Sequence, residues 1–144
     1  NFLNCIEYAN GYIIAGGVLQ SANSTYSGSI SYVASTPTGT WSNGSLIPNS
    51  SYGYCGITSI KYANGYWVAC GVQTGYSDSS TVHRSVISYG TTIGSGTLVQ
   101  VHENTNSNTG FNDIVYENGY WVTGGSLGYY ANICYATKPA SFAT

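Results

Sequence analysis

The chain has 144 residues, of which only 6% are charged, and its net charge is −2. This length suits one domain with a single core, whereas the scarcity of Lys and Arg argues against nucleic acids and anionic membranes as partners. No stretch approaches the roughly 18 apolar residues of a membrane span, and the excess of Gly, Ser, Asn, Thr and Tyr indicates a neutral polar surface.

The first predicted elements are two strands joined by Asn10-Gly11, in the segment "YANGYIIAGG" at 8–17. Because an Asn-Gly pair tolerates the two positive φ angles of a type I′ turn, the segment predicts a β-hairpin. Near-copies follow at 62–71 and 116–125, each displaced by 54 residues. Their turn residues are Asn64, Gly65, Asn118 and Gly119. A constant period predicts a repeat architecture.

Two more strands are predicted in each repeat. The third strand is "SISYVAS" at 29–35, "SVISYGT" at 85–91 and "NICYAT" at 132–137; the fourth opens at Trp41 and Leu98, with Phe142 as the counterpart in the third copy. The second strand is apolar at successive positions, as expected of a strand covered on both faces. We therefore expect an all-β β-propeller of four-stranded antiparallel blades, in place of a β-sandwich. Three blades are predicted, at about 1–55, 56–109 and, incompletely, 110–144.

The repeated pattern of Ile, Tyr, Asn-Gly-Tyr-Trp-Val and Gly, followed by a Tyr strand and "GTW", resembles the blades of sialidase-type, Asp-box (BNR-like) propellers. That family recurs in secreted bacterial proteins and in phage tail or other virion proteins, so the resemblance implies an extracellular or virion location. The Asp-box turn itself is altered, because "STPTGTW" at 35–41 has Pro37 where the motif has Asp. The resemblance therefore bears on the fold more than on the activity.

Catalysis is not predicted. Sialidase relatives are expected to hold the substrate carboxylate with several arginines, and Arg84 is the only arginine of this sequence. A glycosidase-related enzyme with two carboxylates, the least favoured hypothesis, would have to draw on Glu7, Asp78, Glu103, Asp113 and Glu117. We interpret Glu7, Asp113 and Glu117 as solvated or edge residues beside the first strands. The pair His83 and Arg84 is interpreted as part of a solvated loop, with a polar site as the less favoured alternative.

The cysteines leave alternatives open. Cys5, Cys55, Cys70 and Cys134 allow three pairings if oxidised, and buried free thiols are the other interpretation. No pair has a Cys-x-x-Cys spacing, and His83 and His102 stand alone. The sequence thus predicts neither a metal site nor a cofactor.

Binding is predicted on the connections between second and third strands (18–28, 72–84, 126–131) and between successive repeats (43–56, 99–110), which are interpreted as long irregular loops. These segments carry tyrosines among small polar residues, a mixture that also favours recognition in antibody paratopes. The candidate ligand-binding residues are Tyr26, Tyr52, Tyr54, Tyr76, Tyr129 and Tyr130. The alternative is that these tyrosines only cover blade edges.

We therefore expect a non-catalytic recognition module for a cell-surface protein receptor or neutral glycan. The alternative function is a purely structural spacer of a phage tail or surface assembly. Because the chain lacks Met and begins inside a predicted strand, we expect a processed product or a fragment. Three blades would leave two apolar faces bare, so further blades or a second copy of the chain are expected to cover them.

Overall fold

A computed structural model describes residues 2–20, 26–34, 36–47, 54–77, 80–93, 97–104 and 109–142. The described residues form three antiparallel sheets. The first contains β1 (Phe2–Ala9), β2 (Tyr12–Gln20), β3 (Tyr26–Ala34) and β4 (Ser42–Ile47). The second contains β5 (Tyr54–Ala63), β6 (Tyr66–Ser77), β7 (Ser80–Gly90) and β8 (Thr97–Asn104). The third contains β9 (Gly110–Glu117), β10 (Tyr120–Leu127) and β11 (Tyr130–Ala136), and a 3-10 helix follows at Pro139–Ser141. The all-β class is confirmed.

The three Asn-Gly turns join the first and second strands of each sheet. In the middle turn Asn64 has φ 49° and Gly65 has φ 80°, and the turns at 10–11 and 118–119 have the same signs. Two consecutive positive φ angles are what a type I′ turn requires. Each hairpin therefore begins in the same register.

A β-bulge lies at the same repeat position in each first strand. The residues that the ladder to the second strand leaves out are Asn4, Thr58 and Asn112. A glycine lies opposite each bulge, and a Cβ on Gly71 would overlap the carbonyl oxygen of Gly56. Gly17 and Gly125 are restricted in the same way. Close approach of two backbones thus explains the final glycine of each hairpin motif.

The bulge residues connect consecutive sheets. Asn4 Nδ2 donates a hydrogen bond to the carbonyl oxygen of Ile57 at 2.9 Å, and Thr58 Oγ1 donates to that of Phe111 at 2.7 Å. Both bonds span 53 residues. The same contact is therefore made twice, one repeat apart.

Two apolar clusters hold the sheets together. The cluster between the first and second sheets includes Ile14, Ile30, Ile57, Ile60, Trp67 and Ala69. The cluster between the second and third sheets includes Val68, Ile87, Phe111, Ile114, Trp121 and Phe142. Trp67 and Trp121 each lie against a tyrosine of the neighbouring first strand, with ring centroids 4.7 and 4.8 Å apart. Such large buried rings supply much of the apolar area removed from water.

Burial of the second strand on both faces is confirmed for the middle sheet, where Trp67, Val68, Ala69 and Cys70 are all buried. Among the described residues, each outer sheet is covered by another sheet on one face only. Their uncovered faces carry exposed apolar side chains, including Ile6 and Tyr8 in the first sheet and Ile133 and Tyr135 in the third.

Several predicted boundaries are wrong. The connections between second and third strands are mostly paired strand: in the middle sheet pairing continues out to Ser77 and Ser80, and in the third only Gly128 and Tyr129 separate β10 from β11. The predicted loops at 43–56 and 99–110 likewise contain strand, because β4 extends to 47, β8 to 104, and β5 begins at 54. The small polar residues of these segments favour a loop in the sequence-based prediction. The segments can nevertheless pair as strands, because backbone hydrogen bonds do not require apolar side chains.

Phe142 also differs from the prediction. It does not open a strand in the described residues, where the third sheet has three strands. Instead it follows the 3-10 helix and is buried in the cluster between the second and third sheets. The proline at 139, at the first position of that helix, suits a turn and cannot donate to a strand ladder.

Candidate functional site

Each sheet has two ends that its connections define. The Asn-Gly turns and the β3–β4 connection lie at one end, which we call the turn end. The ends of β2, β6 and β10 and the starts of β1, β5 and β9 lie at the other, which we call the loop end. The predicted binding segments include these strand ends.

A cleft of about 360 Å³ lies between the second and third sheets, and its lining includes the start of β9 and the end of β10. Its described lining comes from both sheets and consists of Thr58, Val72, His83, Thr109, Gly110, Phe111, Asn112 and Ser126. None of these is a carboxylate, a lysine or an arginine. The cleft therefore presents hydroxyl, amide and imidazole groups beside apolar surface, which suits an uncharged polar ligand.

Two polar groups of the cleft are held by neighbouring strands. Thr58 lies at the bulge of β5, and its hydroxyl is directed to the carbonyl oxygen of Phe111 across the junction. His83 pairs with Thr74 in the β6–β7 ladder, and His83 Nδ1 lies 3.1 Å from Thr74 Oγ1. The orientation of the imidazole is thus set within its own sheet.

The β10–β11 turn is attached to the rim of the cleft. Thr109 is buried, and its Oγ1 accepts a hydrogen bond from the Gly128 N–H at 3.4 Å. Gly128 has a positive φ of 62°, which allows the tight two-residue turn. The turn carries Tyr129, 94% exposed, and Tyr130, also exposed, next to the lining residue Thr109. Both rings are exposed to solvent, and neither residue is part of the described lining of the cleft.

The other predicted tyrosines are only partly described. Tyr52 lies outside the described residues. The backbones of Tyr26 and Tyr54 begin β3 and β5, and that of Tyr76 lies one residue before the end of β6, all at the loop end. The structure describes only the backbone of these three residues.

Some lining residues were missed or misread in the sequence. The interpretation of His83 and Arg84 as a solvated loop pair is wrong, because both lie within β7 and pair with β6. Thr58 and Asn112 were not singled out, although they occupy one repeat position, 54 residues apart. This shared repeat position was the signal that could have identified them. It indicates a shared structural role only when the β-bulge at that position is known.

The four cysteines are free thiols. Burial raises the pKa of the Cys70 thiol from 9.0 to about 12 and that of Cys5 to about 11. Burial also raises the pKa of Cys55 and of Cys134. The thiolate is the nucleophilic and metal-binding form, so these environments suit structural cysteines.

Among the described residues, no group of three or more His, Cys, Asp or Glu side chains is placed to hold a metal ion. Nor do those residues include a helix of the length and apolarity that crossing a membrane requires. Comparisons with protein families, with curated proteins and with solved structures found no match to this chain.

Proposed function

We propose that the chain is a β-propeller segment that acts as a non-catalytic recognition module, extracellular or virion-associated, and binds a neutral glycan or a protein receptor on a cell surface. The observation that carries this proposal is the cleft whose described lining holds no carboxylate, lysine or arginine, together with the exposed Tyr129 and Tyr130 that follow Gly128, the hydrogen-bond partner of the lining residue Thr109.

The constant relation between consecutive sheets supports a propeller arrangement. β5 contacts β1, β2 and β3 of the first sheet, and β9 contacts β5, β6 and β7 of the second. The bulge bonds of Asn4 and Thr58 repeat at the same step. In propellers, each blade has the same geometric relation to the next blade around the central channel.

The chemistry of the cleft favours a neutral, hydroxyl-rich ligand. Hydroxyl and imidazole groups such as those of Thr58 and His83 can exchange hydrogen bonds with such a ligand without a compensating charge. Tyr129 and Tyr130 add broad aromatic surface with few rotatable bonds to restrict. A glycan presents both hydroxyl groups and apolar faces, so it would use both kinds of contact.

The placement of two carboxylates supports a non-catalytic function. The Glu7 carboxylate forms an ion pair with Lys61, and Asp113 Oδ1 accepts hydrogen bonds from Ser59 Oγ and from the Ile114 N–H. These acids take part in contacts between sheets or within a strand, and neither lines the cleft. Asp113 is exposed, as expected of a solvated or edge residue, and both acids also make contacts that were not expected.

An array of neutral and sialylated glycans, with binding to intact cells measured in parallel, tests the proposal. We expect saturable binding to neutral glycans or to cells, and a loss of affinity of about tenfold or more when Tyr129 and Tyr130 are both changed to Ala. Trp41→Ala is the control, because Trp41 is an exposed aromatic residue near the turn end. Equal affinity of all three proteins would contradict the proposed site.

A purely structural function is the second candidate, and the uncovered apolar faces of the outer sheets favour it. A spacer would show no saturable binding to either glycans or cells. The same experiment therefore separates the two functions.

A further inference from the structure

One isoleucine position of the first strand is buried in two sheets and exposed in one. Ile60 and Ile114 are 3% and 0% exposed, whereas their counterpart Ile6 is 70% exposed. Ile60 and Ile114 each face the preceding sheet, where they join an intersheet cluster. Ile6 occupies the same position in the first sheet, where no sheet formed by the described residues covers that face.

An isoleucine position of the third strand is buried in the first two sheets and exposed in the third. Ile30, Ile87 and Ile133 pair with residues 16, 70 and 124 of the second strands, so they are structural equivalents. Ile30 and Ile87 are buried, at 1% and 0% exposed, whereas Ile133 is 72% exposed. It belongs to the third sheet, on a face that no other described sheet covers.

Each formed junction combines one isoleucine of each kind. Ile30 shares the first cluster with Ile60, and Ile87 shares the second with Ile114. Ile133 and Ile6 are therefore the two halves of a third cluster. The first sheet also has an open cavity of about 350 Å³ lined by Leu3, Asn4, Cys5, Ile6 and Ala15.

That cavity matches the receiving surface of the formed junctions. Leu3, Ile6 and Ala15 correspond, one repeat on, to Ile57, Ile60 and Ala69. All three of the latter pack in the cluster that contains Ile30. The cavity is thus the position that the Ile30 equivalent of another sheet would fill.

We infer that the uncovered face of the third sheet binds the uncovered face of the first sheet in a second copy of this chain, head to tail. Ile133 and Tyr135 of one copy would fill the cavity beside Ile6 of the other. The same juxtaposition would direct the exposed Asn112 towards the carbonyl oxygen of Leu3 in the second copy. This bond would be the third in the series that Asn4 and Thr58 begin.

The contact is heterologous, because it joins two different faces. The inference depends on the packing of the sheets and not on the proposed ligand. A glycan or cell experiment without binding would therefore not contradict the association of two copies, and a monomeric chain would not contradict the proposed recognition function. A contact between two copies of one face would instead be symmetric, and the two arrangements respond differently to substitutions on a single face.

Sedimentation velocity of the 144-residue chain and of two charge variants tests the inference. We expect the unmodified chain to associate, and Ile6→Asp or Ile133→Asp to weaken association at least about tenfold by placing a charge in the contact. Both positions are exposed in the single chain, so circular dichroism should show unchanged folding.

Mixing the two variants is the decisive measurement. The Ile6→Asp protein keeps an intact third sheet, and the Ile133→Asp protein keeps an intact first sheet. We therefore expect the two variants to form a heterodimer when mixed, at concentrations where each variant alone associates weakly. A monomeric unmodified chain, self-association of either variant as strong as that of the unmodified chain, or a mixture that associates no more strongly than the separate variants would each overturn the inference.

Discussion

Lys61 Nζ lies 2.8 Å from Glu7 Oε2, and the two residues are 54 positions apart. Ser59 Oγ and Asp113 Oδ1, 2.6 Å apart, are separated by the same interval. Residues at one repeat position in consecutive sheets thus contact each other across the junction. Residues 54 positions apart are therefore contact partners as well as structural equivalents. Complementary side chains at one repeat position, such as Glu7 and Lys61, stabilise the stacking of consecutive sheets.

The ion pair should make a small, salt-dependent contribution to stability. In a double-mutant cycle with Glu7→Gln and Lys61→Met, we expect a coupling energy of about 0.5 kcal/mol, because exposed pairs are screened by solvent. The Lys61 side chain is 41% exposed and that of Glu7 is 16% exposed. Urea unfolding in low and high salt measures the coupling. A coupling energy that high salt leaves unchanged would argue against an electrostatic contact.

The hairpins could be predicted from the sequence because their signals are local. Asn64-Gly65 specifies its own turn whatever surrounds it, and the period of 54 transfers the assignment to the other copies. The apolar run from Trp67 to Cys70 also predicted correctly that β6 is covered on both faces. These predictions need only the chain within about ten residues of each feature.

The cleft could not be predicted in this way. Thr58, His83 and Thr109 meet because two sheets stack, and their separation in sequence carries no sign of that contact. The outer parts of β6 and β7 were missed for a different reason. Residues such as Thr74 and Ser80 are also common in loops, and pairing of their backbones with the facing strand gives the extended hairpin.

Adjacent glycines at 124 and 125 should respond differently to alanine. A Cβ on Gly125 would overlap the carbonyl oxygen of Gly110, whereas a Cβ on Gly124 has its nearest neighbour, the carbonyl oxygen of Asn132, at 4.0 Å. We expect Gly125→Ala to lower the free energy of unfolding by about 1 to 3 kcal/mol, and Gly124→Ala to change it by less than about 0.5 kcal/mol. Equal urea midpoints for the two variants would rule out the bulge as the cause of the glycine requirement.

The Asn-Gly turn should be sensitive to side-chain type at its second position. Apart from its two chain neighbours, no described residue lies within 4 Å of a Cβ at Gly65, so we attribute any effect to its positive φ of 80°. We expect Gly65→Val to destabilise the chain by more than about 1 kcal/mol, because a β-branched residue disfavours this conformation. Gly65→Asn should cost less, since Asn tolerates positive φ. Thermal unfolding of both variants provides the comparison, and a Val variant as stable as the Asn variant would be inconsistent with the turn.

Ionisation of Cys70 should make stability fall in alkaline solution. Burial raises the pKa of this thiol to about 12, against 9.0 for an ordinary cysteine. Between these values the unfolded chain loses the thiol proton while the folded chain retains it, so the free energy of unfolding decreases as the pH rises. The contribution is fully present below pH 9.0 and is lost as the pH approaches about 12.

This contribution can be isolated by urea unfolding of the unmodified chain and of Cys70→Ala, each at about pH 8 and about pH 10.5. The other ionising groups, including the tyrosines, are common to both proteins. We expect the alanine variant to be less stable at the lower pH, because the substitution leaves a cavity, but to lose less stability on the change to the higher pH. Cys134→Ala is the control: its thiol is only half-buried, so removal should alter the pH dependence less. If Cys70→Ala and the unmodified chain lose equal stability between the two pH values, the Cys70 thiol does not retain its proton in the folded state as burial requires.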